Sequence, residues 1–317
     1  MLILIAGITG NMGGKLAKAG LSAGHQVRGL ARNPSKLPEV VSSKLESFVQ
    51  ISSYYDTTAL DKACHGVDAI ICAYAPVPDA SLDGQLCLLR AAERAGVKRF
   101  HAASWNLNWS KQPLGALETY DPYISFMYQA RLSSPIKPLY TFIGALAQTF
   151  FAVPGAGKLE GDKACWQRLD GLKRKINVVG TGDEKVDVTT EEDASAFSVD
   201  LVTSDFAENG GFYEFHSDSF SLKELKECYE RIKGVEVEWN VTGLQLPLIE
   251  QIVENSRAGA IAKNELREKW PEYIGLVYLK YMLNKEMGLF KPDMDLFPEV
   301  TAHRQTLEVY VKTSPDI

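Results

Sequence analysis

Apolar and polar positions alternate along the chain in blocks of two periods. Leu2–Ala6 is an unbroken apolar run, the pattern of a strand covered on both faces. LAKAGLSAGH follows, with Leu16, Ala19, Gly20 and Ala23 on one helical stripe and Gly24 as its stop. HQVRGLAR and ESFVQI read as a second and third strand. Thr58 opens a short helix, with Asp61 completing a capping-box pattern. GVDAIICAYAP is a fourth strand, and Ser81 starts a helix whose Leu82, Leu86 and Leu89 repeat at helical spacing until Gly96. VKRFHAAS, a helix around ISFMYQARL, and KPLYTFIG complete a six-strand rhythm. Strands joined by crossover-length helices predict an α/β fold, a Rossmann-type doubly wound parallel sheet.

Past residue 153 the rhythm changes. VPGAG reads as a hinge or loop, KINVVG and GFYEFH as short strands, and FSLKELKECYERIKG as an amphipathic helix starting at Ser221. From about Pro247 the pattern is mostly helical. The expected division is a dinucleotide-binding domain over 1–153 and a smaller, mainly helical substrate lobe over 154–317, with 176–216 returning to the sheet.

Three glycines, Gly7, Gly10 and Gly13, join the first strand to the first helix. Bare main-chain N–H groups and the helix dipole there favour a diphosphate. Gly7 permits the turn, Gly10 the close approach of phosphate, and Gly13 the packing of helix on sheet. Thr9 and Asn11 add polar side chains, and Met12 covers the diphosphate. The spacing is G-x-x-G-x-x-G rather than G-x-G-x-x-G. A turn of the same shape without a ligand is the alternative. At the end of the second strand stands Arg32, where an acidic residue would select NAD; no Asp or Glu lies between Gly7 and Glu39. A guanidinium there forks onto a 2′-phosphate, so NADP(H) is the expected cofactor. A solvated surface arginine is the alternative.

Bulk properties narrow the partners. The 317 residues are 45% hydrophobic and 23% charged, with net charge −6. The densest basic run, LKRK at 172–175, is too short for a phosphate-tracking groove, so nucleic acid is not expected. Five dispersed cysteines fit a reducing compartment. No cysteine or histidine metal cluster is expected, as the five histidines are far apart in sequence. No apolar run approaches ~20 residues, so a membrane span is not expected. Two Asn-x-Ser/Thr sequons read as chance, and the expected location is cytoplasmic.

AGITGNMGGKL, GLARNP, GVDAIICAYAP, GVKRFHAAS, PLYTFIGALAQTFF, VVGTGDEKVDVTTEEDASAF and SLKELKECYERIKG follow one another as they do in the NmrA-like and isoflavone reductase-like branch of the atypical short-chain dehydrogenase/reductases. The chain resembles that family over nearly its whole length. The resemblance implies a Rossmann-type domain, a smaller substrate lobe and NADP(H). By the same matching, Gly7, Thr9, Gly10, Asn11 and Met12 hold the diphosphate and Arg32 the 2′-phosphate. Ala73, Tyr74, Ala75 and Pro76 run beside the adenine-side ribose and diphosphate. Ser104, Trp105 and Asn106 end near the nicotinamide, and the stretch from Gly144 through Ala147 and Gln148 to Thr149 flanks its ring.

The wider superfamily uses Tyr-x-x-x-Lys to move a proton, and reductases of this branch often keep a lone lysine in the helix before strand six. Here that helix, DPYISFMYQARL, has no lysine. Tyr229 and Lys233 have the right spacing but fall in the C-terminal half, where a helical stripe explains Tyr229 as packing. Candidates for polar help are Ser104, Tyr123, Tyr128, Arg131 and Gln148; core packing or a solvated face is the alternative for the tyrosines and Arg131. His101 reads as a buried, satisfied histidine and Asp193 as a helix cap. Trp105, Trp109, Tyr120, Phe150, Phe151 and Trp166 suggest an aromatic pocket for a bulky hydrophobic metabolite. The expected activity is NADP(H)-dependent reduction of a C=C or C=N bond of such a secondary metabolite, with cyclisation as an optional sequel. A cofactor-sensing regulator without turnover and a cyclase or isomerase keeping the cofactor as scaffold are the alternatives. A monomer or homodimer is expected.

Overall fold

In a computed structural model, residues 1–153, 165–284, 286, 291–315 and 317 are described. The elements in chain order are β1 (Leu2–Ala6), α1 (Asn11–Ser22), β2 (Gln26–Ala31), α2 (Glu39–Ser42), β3 (Ser47–Gln50), α3 (Thr57–Cys64), β4 (Ala69–Cys72), α4 (Gln85–Ala95) and β5 (Arg99–His101). Then come α5 (Asp121–Ser133), β6 (Leu139–Phe142), β7 (Ala145–Leu146), α6 (Ala147–Phe150), β8 (Trp166–Arg168), β9 (Arg174–Val178), β10 (Lys185–Thr189) and α7 (Glu191–Thr203). The remainder is β11 (Gly211–Glu214), β12 (Asp218–Ser221), α8 (Leu222–Lys233), β13 (Val237–Val241), α9 (Leu246–Ala262), α10 (Leu266–Leu283), α11 (Pro298–His303) and α12 (Leu307–Thr313). Of the hinge expected in VPGAG, residues 154–157 lie outside the described residues.

The apolar runs pair as expected. The main sheet has the order β11-β6-β5-β4-β1-β2-β3, with its paired strands parallel. The order reverses beside β1, so its carboxyl edge opens a crevice between β1 and β4. Because β1 and β4 are buried on both faces, two apolar layers are needed. On one side Leu4, Ile70 and Phe100 pack with Leu88, Phe126 and their neighbours. On the other, Ile3, Ile5 and Ile71 meet Leu16 from α1 and Phe197, Leu201 and Phe215 from the late segment. Each such side chain contributes about 1.5–3 kcal/mol when fully withdrawn from water.

Local chemistry corrects some element starts. The cap of α3 is Asp56, whose carboxylate accepts from the Ala59 N–H at 3.2 Å, rather than a box begun by Thr58. A widened turn over 79–84 precedes α4, so the regular helix starts at Gln85 rather than Ser81. Ser221 does cap α8, in a reciprocal box with Glu224.

Of the 176–216 stretch, β11 joins the main sheet beside β6, and α7 packs on α1. The remaining strands form two small sheets, β12-β10-β7 and β13-β9-β8. The C-terminal portion is therefore helical with a two-sheet base. Its helices are pinned to the main body by a partly buried cluster. Arg257 on α9 forks onto Glu118, just before α5, at 2.6 and 3.0 Å. Tyr273 on α10 donates to the same carboxylate at 2.6 Å. Burial alone would raise the Glu118 pKa, but these hydrogen bonds outweigh it and hold it below the usual carboxylate value. No described helix is long and apolar enough to cross a membrane.

Candidate functional site

The site begins with what a side chain would obstruct. Gly7 sits at φ +85°, and a Cβ there would lie 2.5 Å from the Ala73 carbonyl oxygen on the neighbouring strand. At Gly13 a Cβ would lie 2.2 Å from the Gly7 oxygen, so helix and turn can close only without it. Gly10 differs. A Cβ there meets the Gly7 oxygen at 3.2 Å and nothing else within 4 Å, so its outer side is open to a ligand.

Gly10 is the N-cap of α1, has no capping side chain, and is followed by no acidic residue in the first turn. The Asn11, Met12 and Gly13 N–H groups therefore lack intrahelical acceptors at the end of a dipole that favours anions. The arrangement fits a diphosphate. Thr9 is half-buried in the turn, and Met12 is half-buried with its sulfur 3.7 Å from Ser195 Oγ.

Arg32 follows β2 on the exposed rim. Its guanidinium lies 5.5 Å from the centre of the Tyr54 ring and makes no ion pair among the described residues. A cation over an aromatic face, with no ion pair among the described residues, fits a phosphorylated sugar. Tyr54 in turn packs on Tyr74, ring centres 4.8 Å apart. Ala73 is half-buried against Gly7, whereas Ala75 and Pro76 are exposed along the crevice.

A late element packs against the start of α1. Thr190 caps α7, accepting from the Asp193 N–H at 3.1 Å. The next residues are Glu191, Glu192 and Asp193. Glu191 accepts from Asn11 Nδ2 at 2.6 Å, and Lys15 of α1 pairs with Glu192. Gln148 joins both: its Oε1 accepts from the Glu191 N–H at 3.0 Å and its Nε2 donates to Glu192 at 2.9 Å. Ala147 beside it is buried. Gly144, at φ +69°, backs onto Asp187, whose carbonyl oxygen a Cβ would meet at 2.2 Å. Burial, opposed by Lys15 and reinforced by Glu192, pushes the Glu191 carboxyl up to about 7.

The Glu191–Glu192 pair was missed from sequence. Its signal was the run of acids directly after a Thr cap, which reads equally well as ordinary helix-start chemistry. Asp193, expected as the cap, lies in the first turn and accepts from Ser217 Oγ at 2.5 Å and the Gln305 N–H at 2.7 Å.

Several proposed proton donors are placed elsewhere. Ser104 is buried, donating to Ala102 O at 3.0 Å and accepting from the Thr141 N–H at 2.8 Å. Its hydroxyl does strand-pairing work where β5 ends. Tyr123 is buried beside Trp109 and Tyr120, and burial raises its pKa further. Tyr128 is half exposed, and Arg131 faces solvent. Gln148 is committed to α7 as described. Tyr229 is fully buried and donates to Leu172 O at 2.9 Å, on α8. His101 bonds Thr141 at 2.7 Å and stacks on Trp105; burial lowers its pKa to about 4, so it stays neutral at neutral pH.

The expected aromatic wall is a correction as well. Trp109, Tyr120, Phe151 and Trp166 are buried in the core, where edge-to-face contacts consume them: Trp109 on Phe142, Tyr120 on Tyr123, Phe151 on Trp166, and Trp166 on Tyr229. Trp105 and Phe150 remain partly exposed. A groove of about 360 Å³ lies elsewhere, between α9 and α10.

A parallel sheet reversing beside a glycine-rich strand–helix turn defines a Rossmann-type dinucleotide fold. A sequence profile of the NmrA-like family matches residues 1–269, and the chain belongs to that family. The phenylcoumaran benzylic ether reductase IRL1 of Ginkgo biloba is 26% identical over 249 residues, covering 74% of this chain and 76% of that protein. Pinoresinol reductase 1 of Arabidopsis thaliana is 25% identical over 318 residues, covering 95% and 94%. Among solved structures, AtPrR2 with NADP+ and (+)pinoresinol superposes with a TM-score of 0.74 at 20% identity, covering 98% of this chain and 97% of that one. The leucoanthocyanidin reductase–NADPH complex from Vitis vinifera gives 0.72 at 18% identity, covering 98% of each. These structural likenesses bear on the fold.

Proposed function

We propose that the chain is an NADP(H)-dependent reductase of a bulky, hydrophobic, phenolic secondary metabolite. The observation that carries this is the conjunction at the crevice of a bare α1 start and an arginine without an anionic partner among the described residues. The family membership and the reductase relatives support it. Asn11, Met12 and Gly13 would hold the diphosphate by main-chain N–H groups, Arg32 the 2′-phosphate, and Gly144 with Ala147 the nicotinamide side. When bound, the cofactor supplies hydride to an electrophilic carbon.

The chain's own contribution is placement rather than proton transfer. No lysine stands on α5, and Ser104 and Tyr123 have their hydroxyls inside the protein. A substrate that accepts hydride without a protein acid fits such a site: a conjugated C=C or C=N that carries or develops its own charge. Cyclisation after reduction would need no further group from the protein. The engaged Ser104 and the buried Tyr123 also favour a second reading, a sensor that binds NADP(H) without turnover.

Incubating the protein with NADPH and a panel of phenolic benzylic ethers, conjugated enones and cyclic imines separates the two. Substrate-dependent loss of the reduced nicotinamide absorbance is the expected result. Tight NADPH binding with no loss across the panel would favour the sensor.

A further inference from the structure

We propose that Glu191 couples diphosphate binding at the glycine turn to proton uptake, its sealed carboxyl taking a proton from solvent as the cofactor's charge arrives. The inference rests on the diphosphate lying at the start of α1. Glu191 is 3% exposed and bonded to Asn11, the first residue of that helix. Around it, α1 offers Asn11 and Lys15, α6 offers Gln148, and α7 offers Glu192. Asp193 turns away to Ser217 and Gln305. Two carboxylates therefore face one ammonium, and Lys15 pairs with Glu192 rather than Glu191.

A diphosphate adds two negative charges to a site already one charge short of balance. The main-chain donors of α1 stabilise the diphosphate, but they do nothing for a carboxylate behind Asn11. Exposed Glu192 keeps its ammonium and solvent. Glu191 is sealed from solvent, and Lys15 offsets its burial only in part, so relief comes from protonating it. Burial and the Glu192 charge oppose the ionised form, and Lys15 favours it; the group stands near balance at neutral pH. Protonation leaves the Asn11 bond intact, because the carbonyl oxygen of the acid still accepts.

Linkage sets the sign. A ligand that raises a group's pKa binds best when that group is protonated, so affinity falls as pH rises above the free-protein titration. Calorimetric titration of NADPH between about pH 6.5 and 8.5, in buffers of different ionisation enthalpy, reads both affinity and proton uptake. For the unaltered protein we expect net uptake near pH 7.5 and a Kd that rises about tenfold per pH unit at most. Glu191→Gln should bind as tightly as the unaltered protein at the low end, with a flatter profile and less uptake. The titration of the 2′-phosphate is common to both proteins and cancels in the difference. Glu192→Gln removes a repelling charge and frees Lys15 for Glu191, so it should move the titration to lower pH and reduce the uptake near pH 7.5. The proposal is overturned if Glu191→Gln retains the full uptake, if Glu192→Gln raises it, or if Glu191→Gln loses low-pH affinity while its melting temperature is unchanged. NADPH binding by both proteins at low pH upholds the cofactor reading whichever slope is found.

Discussion

Arg32 shows how much one side chain can decide. Its guanidinium is exposed, steadied by the Tyr54 ring, and unpaired among the described residues. A charge-assisted fork onto a 2′-phosphate is worth about 1.5–3 kcal/mol, and an anion in its place adds repulsion. Arg32→Glu should therefore weaken NADPH binding by roughly 30–100-fold or more while changing NADH binding only a few-fold. Equal losses in a fluorescence titration would show that Arg32 is not the selector. The placement of the glycine turn and of Arg32 was legible because each follows directly on the end of a buried strand. Ser104, Tyr123 and Tyr128 were not, because adjacent positions in a sequence say little about which hydroxyl is spent on a neighbour. Ser104 bonds two backbone groups, Tyr123 points inward and Tyr128 outward.

At the scale of elements, period alone anticipated the strands of the main sheet through β6. An apolar run covered by helices has few other places to go. Helix starts were less readable where two capping residues compete, as at Asp56 and Thr58. KINVVG anticipated β9, but the small sheets as such escaped notice because strands such as β8 and β12, three and four residues long, are too short to show alternation. Their partners are also distant in sequence, as in the pairing of β9 with β13. The stripe on α8 was legible, and it places Tyr229 under Trp166 with its hydroxyl on Leu172 O. Tyr229→Phe should cost about 1–2 kcal/mol in urea unfolding and leave any reductase turnover unchanged. A collapse of kcat with normal stability would restore the Tyr229–Lys233 pair as a catalytic candidate.

Across the whole molecule, the Glu118–Arg257–Tyr273 cluster ties the helical portion to the segment before α5. Removing one partner leaves a charge in a poorly solvated place. Arg257→Ala should destabilise by about 2–4 kcal/mol, discounted from a fully buried pair because Arg257 keeps some contact with water. The sign with pH follows from the depressed pKa of Glu118. Its contribution is full above the unfolded carboxylate value and is lost as pH falls through the lower folded value. Stability measured from neutral pH down to about pH 3 should therefore fall more steeply for the unaltered protein than for Arg257→Ala. Parallel curves would remove the ion pair from the account.

Phe197, Leu201 and Phe215 belong to the late segment yet roof Ile3, Ile5 and Ile71 near the amino terminus. The half that carries the glycine turn is thus not a cassette. Excised at residue 153, it would leave one face of its pleated floor greasy and prone to stick to its own copies. Grafting a foreign lobe onto it, in the laboratory or by recombination, succeeds only if the stretch around 191–215 travels with the recipient.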